Sequence, residues 1–290
     1  MKIAIEPSSR QEFDSAVATS GGEVAQLDET VKALVWTDYS RPELLRATLD
    51  ANPQLEWVQL PFAGVDAFSD VIRRQPLFTS AKGAYSEPVA EHALALCLAL
   101  GRAVPTRVKA KSWGEKFAVS LYESKVLIVG AGGIAKELTK LLSPFGCPVV
   151  ALGAKDIARL SVQLPKADFV VLACALTDET RGLINERSLA LMKSSAFLVN
   201  VARGGVVVTE DLIASLKAGE IAGAALDVTD PEPLPDGHPL WDAPNVIITP
   251  HTADTDAQVV RMFAERIRLN VAAFLGLSDW VGVVDKKLGY

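Results

Sequence analysis

An α/β architecture in two domains, each organised around a parallel sheet, follows from three features of the sequence. Short apolar runs alternate with amphipathic stretches along most of the chain, the pattern left by strands joined through crossover helices. The chain has 290 residues, long for one domain at about 150 residues each. The alternation breaks once, near Val89, at a stretch that is apolar nearly all round, as expected of a helix buried between larger bodies.

The first series runs in order. Residues 2–5 read as a strand, 10–19 as a helix stopping at Gly21-Gly22, and 33–37 as a second strand. Residues 41–51 follow as a helix with Pro42 in its first turn, where a missing N–H leaves no bond unmade. Residues 55–60 and 77–79 complete this strand set. Residues 89–101 form the buried helix, and the more polar 105–116, ending at Trp113-Gly114, is read with it as the crossing between domains. A second series opens at Lys125, with strand-like runs at 126–129, 149–152, 169–173, 197–200, 223–227 and 246–248. Six such runs suit a doubly wound sheet. In the tail, Val259, Val260, Phe263, Ile267, Val271 and Phe274 repeat at helical spacing. Residues 256–275 are therefore expected to form a helix packing back on the first domain. The expected domains are 1–100 with 256–290, and 101–255.

Composition excludes several classes of function. An apolar fraction of 49% with 22% charged residues excludes disorder. Lys and Arg total 29 against 35 acidic residues, net −6, so no basic excess exists for nucleic acid or a membrane surface. Cys97, Cys147 and Cys174 lie in apolar stretches without CxxC spacing and read as buried thiols in a reducing compartment. No pair of His or Cys has metal-ligand spacing, so no metal is expected. No apolar run precedes Glu6, so no signal peptide is expected. The longest uncharged apolar segments, such as 169–177, fall short of the roughly 18 residues a membrane span needs. A cytoplasmic protein is expected.

The strongest chemical signal is Val126-Leu127-Ile128-Val129-Gly130-Ala131-Gly132-Gly133-Ile134-Ala135, a strand entering G-x-G-x-x-A and then a helix at 136–142. Gly130 permits the tight turn, Gly132 lets backbone approach a pyrophosphate, and Ala135 lets helix and strand sit close. With Gly133 and Ile134, these residues bring free N–H groups and a positive helix end to phosphates. A structural turn, or another adenosine ligand such as S-adenosylmethionine, fits the same residues. NAD-binding sheets usually place Asp or Glu about 20 residues on, at the ribose. Here that position is Gly153, in Gly153-Ala154-Lys155-Asp156. With no carboxylate to repel a 2′-phosphate and Lys155 nearby to attract one, the residues lean toward NADP within NAD(P). Lys155 as a solvated loop residue, with Asp156 serving the ribose, is the alternative.

Three later strands end in unusual residues: Asn200-Val201-Ala202-Arg203-Gly204-Gly205, Asp227-Val228-Thr229-Asp230-Pro231-Glu232-Pro233 and Thr249-Pro250-His251-Thr252. Ligands of doubly wound sheets lie outside the carboxyl ends of the strands, so all three segments share the mouth of the glycine turn. Singly, Arg203 reads as a turn residue, Glu232 as a surface charge and His251 as a polar cap. Together they supply a guanidinium fork for a carboxylate, an imidazole for proton transfer at a carbonyl oxygen, and a carboxylate that fixes the tautomer of that imidazole. His92 reads as a packing or capping residue, and His238 as solvated.

Several further motifs occur in order: Val58-Gln59-Leu60-Pro61-Phe62-Ala63-Gly64-Val65-Asp66, Glu87-Pro88-Val89-Ala90-Glu91-His92-Ala93, Leu176-Thr177-Asp178-Glu179-Thr180-Arg181-Gly182-Leu183-Ile184, and His238-Pro239-Leu240-Trp241 through Pro250-His251. On these the chain, from about Leu55 to Thr252, resembles the D-isomer-specific 2-hydroxyacid dehydrogenase family. The resemblance implies that Arg203 binds a 2-oxoacid, His251 is the general acid/base and Glu232 orients it. It further implies that backbone N–H groups of Ala63, Gly64 and Val65 hold the substrate carboxylate. Val201 and Asp227 would face the nicotinamide, Asp227 accepting from its carboxamide. A homodimer built on the helix near Val89 is also implied. The expected fold is α/β with two Rossmann-like domains: a doubly wound parallel-sheet dinucleotide-binding domain and a flavodoxin-like substrate domain.

Four departures from the family pattern stand out. The acidic ribose residue is missing, and 153–167 is short. Asp254 stands where a glycine is common, and Ala175-Leu176 where a proline often precedes the leucine. The expected function is interconversion of a 2-oxoacid and a D-2-hydroxyacid by NAD(P)-dependent hydride transfer. The rivals are a nucleotide-sensing protein that kept the fold without turnover, and a methyltransferase, which would leave Arg203, Glu232 and His251 unemployed.

Overall fold

A computed structural model describes residues 1–287. In chain order the elements are β1 (Lys2–Glu6), α1 (Gln11–Thr19), β2 (Glu23–Val24), β3 (Ala33–Trp36), α2 (Pro42–Ala51), β4 (Trp57–Gln59) and β5 (Leu77–Thr79). Then come α3 (Ser86–Gly101), α4 (Val104–Lys109), β6 (Val126–Val129), α5 (Gly133–Leu142), β7 (Val149–Leu152) and α6 (Leu160–Gln163). The chain continues through β8 (Phe169–Leu172), α7 (Glu186–Ala190), β9 (Phe197–Asn200), α8 (Thr209–Ala218), β10 (Gly223–Leu226), β11 (Val246–Ile248) and α9 (Asp256–Phe274). Two compact units result: Met1–Tyr85 with the chain from Thr255 onward, and Ser86–Asp254.

The first unit holds a parallel sheet in the order β2-β1-β3-β4-β5, the flavodoxin-like order. The two-residue β2 at its edge is too short to leave a periodicity in sequence. The tail helix α9 packs on α1, where Phe13 meets Phe263 edge to face with centroids 5.2 Å apart. Its start is fixed by a capping box, Thr255 Oγ1 accepting from Gln258 N while the Gln258 side chain accepts from Thr255 N.

The second unit holds six parallel strands in the order β11-β10-β9-β8-β6-β7. Strands β6, β8, β9 and β10 are buried along their whole length, as their continuous apolar runs require. Successive residues face opposite layers. Leu127, Val129, Val170, Leu172 and Leu198 pack with Leu160, Leu189, Leu212 and Leu216 from α6, α7 and α8. Val126, Ile128, Phe169, Val171, Phe197 and Val199 pack with Ala93, Leu96 and Leu100 of α3 and Leu138 of α5. Phe169 and Phe197 stack at 5.2 Å on that side.

The expected domain boundary and crossing need correction. The boundary expected at 100/101 lies at 85/86, because α3 packs on α5, β9 and β10. A helix apolar all round announces burial but carries no polar face to say against which body. Residues 105–116 likewise belong to the second unit and are no crossing. Among the described residues the six-stranded sheet is without the strand that the usual dinucleotide-binding order places outside the second. Among the described residues none lies outside β7, and the short 153–167 segment returns through 3-10 turns and α6 directly to β8. Among the described residues no helix is long and apolar enough to cross a membrane.

Candidate active site

The β6–β8 neighbourhood is the switch point of the second sheet: from β6 the chain goes out to β7 and then back across to β8. Ligands of open α/β sheets lie at such a point. Gly130 leaves β6 with φ +132°, and a Cβ there would overlap the Ala173 carbonyl at the end of β8. Only glycine fits. Gly132 is the N-cap of α5 and offers no side-chain cap, while a Cβ built on it would meet no atom within 4 Å. Ala135 is 1% exposed and seats the helix against β6. The helix end carrying the amides of Gly133 and Ile134 is positive and has no side-chain cap, which fits a diphosphate. Lys155 is exposed in the turn after β7, and Arg159 pairs with Asp156 at 3.5 Å. Gly153 itself closes β7, so no carboxylate stands there.

At the other side of the switch, three turns converge. After β9, Asn200 is fully buried; its Nδ2 donates to Arg203 O (3.0 Å) and its Oδ1 accepts from Ala202 N (3.0 Å). This closes the turn that presents Val201, which is buried, and Arg203, half-buried with Nη1 donating to Ala202 O at 2.9 Å. Gly204 brings this turn against the next one: a Cβ there would overlap the Thr229 carbonyl. In that second turn Thr229 N donates to Glu232 Oε2 (3.3 Å), and Glu232 Oε1 lies 2.7 Å from His251 Nδ1. His251 and Glu232 keep 49% and 40% of their side-chain surface exposed, so the pair is open to a ligand. His251 has φ +52°, a region few non-glycine residues occupy. It is held there by its amide, which donates to Asp227 O at 2.8 Å and Thr249 O at 3.0 Å.

Electrostatics follow from these contacts. The hydrogen bond and charge of Glu232 raise the His251 pKa against burial and the Arg203 charge. Burial pushes the Glu232 carboxyl up, but its bond to His251 and the nearby positive charges outweigh this and hold it below its ordinary value. Asp227 is 2% exposed. Its burial is likewise outweighed, by hydrogen bonds from His92, Thr249 and Thr252, and its pKa is lowered. Asp254 differs: burial and the Asp227 charge raise its carboxyl above the ordinary range, although His251 opposes them.

Residues 93–253 match the family described as D-isomer specific 2-hydroxyacid dehydrogenase, NAD binding domain. The chain belongs to this family. Like its relatives, it is an oxidoreductase. The D-isomer specific 2-hydroxyacid dehydrogenase from Xanthobacter autotrophicus Py2, solved in complex with NADPH and MES, is similar at 28% identity. That likeness covers 99% of this chain and 100% of the solved one, with a TM-score of 0.85. The glyoxylate reductase of Thermofilum pendens is 34% identical over 83% of this chain and 78% of its own. The glyoxylate reductase/hydroxypyruvate reductase of Mus musculus is 30% identical over 85% and 78%.

The second unit of this family member thus brings Arg203, Glu232, His251, Val201 and Asp227 to one set of turns. Ala63, Gly64 and Val65 lie in the first unit, in the loop after β4. That loop is braced from below: Tyr85 Oη donates to Pro61 O (2.8 Å) and Ala81 N to Phe62 O (3.0 Å). Sequence reasoning missed Asn200, Thr249 and Thr252, whose only signal was adjacency to Arg203 and His251. It also misread His92, which reaches Thr249 and Asp227.

Proposed function

We propose that this dehydrogenase reduces a small 2-oxoacid to the D-2-hydroxyacid, and runs the reverse, with NAD(P). The observation that carries this is the 2.7 Å pair of His251 Nδ1 and Glu232 Oε1 beside Arg203. Nδ1–H donates to Glu232, which leaves Nε2, without a partner among the described residues, as the atom that exchanges a proton. In reduction the imidazolium gives its Nε2 proton to the substrate carbonyl oxygen while Glu232 balances the ring charge; in oxidation Nε2 takes the proton back. Arg203 holds and polarises the 2-oxoacid through its fork, and the amides of Ala63, Gly64 and Val65 receive the carboxylate. Gly130, Gly132, Gly133 and Ile134 hold the diphosphate, Val201 backs the nicotinamide and Asp227 accepts from its carboxamide. When bound, the reduced nicotinamide supplies the hydride for the carbonyl carbon.

The exposed Lys155 and the carboxylate-free end of β7 support a preference for NADP. A homodimer is supported by the exposed apolar side chains Val108, Trp113, Phe117 and Tyr122 on the segment that follows α3, since exposed apolar surface favours an interface. We place the protein in the cytoplasm. The test is loss of nicotinamide absorbance with NADPH and with NADH against glyoxylate, hydroxypyruvate, pyruvate and bulkier 2-oxoacids. His251→Ala should lose about 10²–10⁴-fold in kcat with dinucleotide binding intact. Retained turnover in that variant would remove His251 from the role.

A further inference from the structure

Asp227 uses its two carboxylate oxygens unequally. Oδ1 accepts hydrogen bonds from Thr249 Oγ1 at 2.6 Å and from Thr252 N at 3.0 Å, and His92 Nε2 lies 3.2 Å from the same oxygen. Thr249 Oγ1 also lies 3.0 Å from His92 Nε2. Because the single Thr249 hydroxyl proton goes to Asp227, the threonine oxygen must accept from His92. Nε2 therefore carries its proton, shared between Thr249 and Asp227. These three groups gather on Oδ1 and leave Oδ2 for a ligand. His92 reaches this cluster from α3, a helix remote in sequence and locked into the core by Ala90, Ala93 and Leu96 on its buried face.

We infer that His92 and Thr249 are a positioning pair that clamps Asp227 Oδ1 so that Oδ2 is aimed at the amide N–H of the nicotinamide carboxamide. The inference rests on the reading of Asp227 as the carboxamide acceptor. Without the clamp the aspartate side chain rotates about two torsions. The specificity for an amide donor, which depends on one fixed acceptor, is then lost. The same clamp steadies the proton-transfer residue, because Asp227 also ties down the 249–252 turn through Thr252 N and through its own carbonyl to His251 N.

The experiment measures Kd, by quenching of protein fluorescence, and kcat/KM for the reduced dinucleotide and for its 3-acetylpyridine analogue, whose methyl ketone has no N–H to donate. The wild-type chain should prefer the carboxamide. His92→Leu should lose about tenfold of that preference, the share of one hydrogen bond to a charged acceptor, while His92→Gln, which keeps a donor, should retain most of it. Thr249→Val should show the same loss without touching α3, so a fold defect in His92→Leu leaves the test intact. Equal losses with both cofactors in His92→Leu and Thr249→Val indicate a purely structural role and overturn the inference. So does an undiminished preference. No preference in the wild type overturns the reading of Asp227 itself, and the inference with it.

Discussion

The two halves of the second unit's binding edge are built differently. Where β9, β10 and β11 end, every turn is tied to its neighbour. Asn200 closes the Arg203 turn, Gly204 brings that turn to Thr229, Glu232 bonds His251, and Asp227 holds Thr249, His251 and Thr252. Where β6 and β7 end, Ala131, Gly132, Ala154 and Lys155 are exposed, and no strand among the described residues lies on the outer side of β7. On the proposed function the contrast separates two duties. Proton transfer tolerates little misplacement, and a mis-set geometry costs orders of magnitude. The adenosine end contributes binding that is uniform between ground and transition state, so its loss is felt in affinity alone.

The contrast can be broken or sharpened by substitution. The largest effect is expected within the glycine turn itself, which contains both kinds of residue. Gly130→Ala forces a Cβ onto the Ala173 carbonyl at φ +132°. It should destabilise the unit by about 1–3 kcal/mol or more, lowering Tm. Gly132→Ala, which meets only open space, should leave Tm unchanged and raise the dinucleotide Kd. Equal melting of the two would erase the distinction between a structural and a binding glycine.

Next in size is Arg203→Lys. An ammonium cannot reproduce the fork, so kcat/KM for the 2-oxoacid should fall about 10–100-fold, the equivalent of a charge-assisted hydrogen bond, with KM raised and kcat lowered. Steady-state kinetics that match the wild type would take Arg203 out of the site.

Glu232→Gln tests the tied side through pH. Glu232 raises the His251 pKa, and reduction needs the protonated ring, so wild-type kcat falls as pH rises through that raised value. Removing the carboxylate lowers the His251 pKa, and the alkaline limb of the kcat profile should move to lower pH. An unmoved limb would mean another group delivers the proton. The smallest effect belongs to the open side: Lys155→Glu, on an exposed side chain, should shift the ratio of kcat/KM for NADPH over NADH toward NADH by a few-fold, consistent with exposed charge pairs. A change in kcat there would show that the two halves are coupled.

Much of this molecule is legible in one dimension. Gly130 and Ala135 are readable because tight turns and close packing tolerate few residue types, and the β6 and β8 runs because strands buried on both faces must be apolar throughout. Arg203, Glu232 and His251 stand in unusual local contexts and could be named. Misreadings fell where a residue's partner is distant. Nothing near His92 says that its imidazole reaches Thr249, 157 positions on. The all-round apolar α3 gives no hint of which unit owns it. Nor does the short 153–167 segment declare that a strand is missing until the pairing of β7 is seen.

Local chemistry, written in periodicity, glycines and caps, therefore determined the elements, the α/β class and the candidates for the reacting side chains. Tertiary structure alone decided the boundary at Tyr85, the bare edge at β7 and the gathering of His92, Thr249 and Thr252 on one oxygen of Asp227. Each of these depends on packing or hydrogen bonding between segments far apart in sequence. Such pairings are chosen by the burial and donor satisfaction of the whole unit, and they leave no periodic trace in either partner.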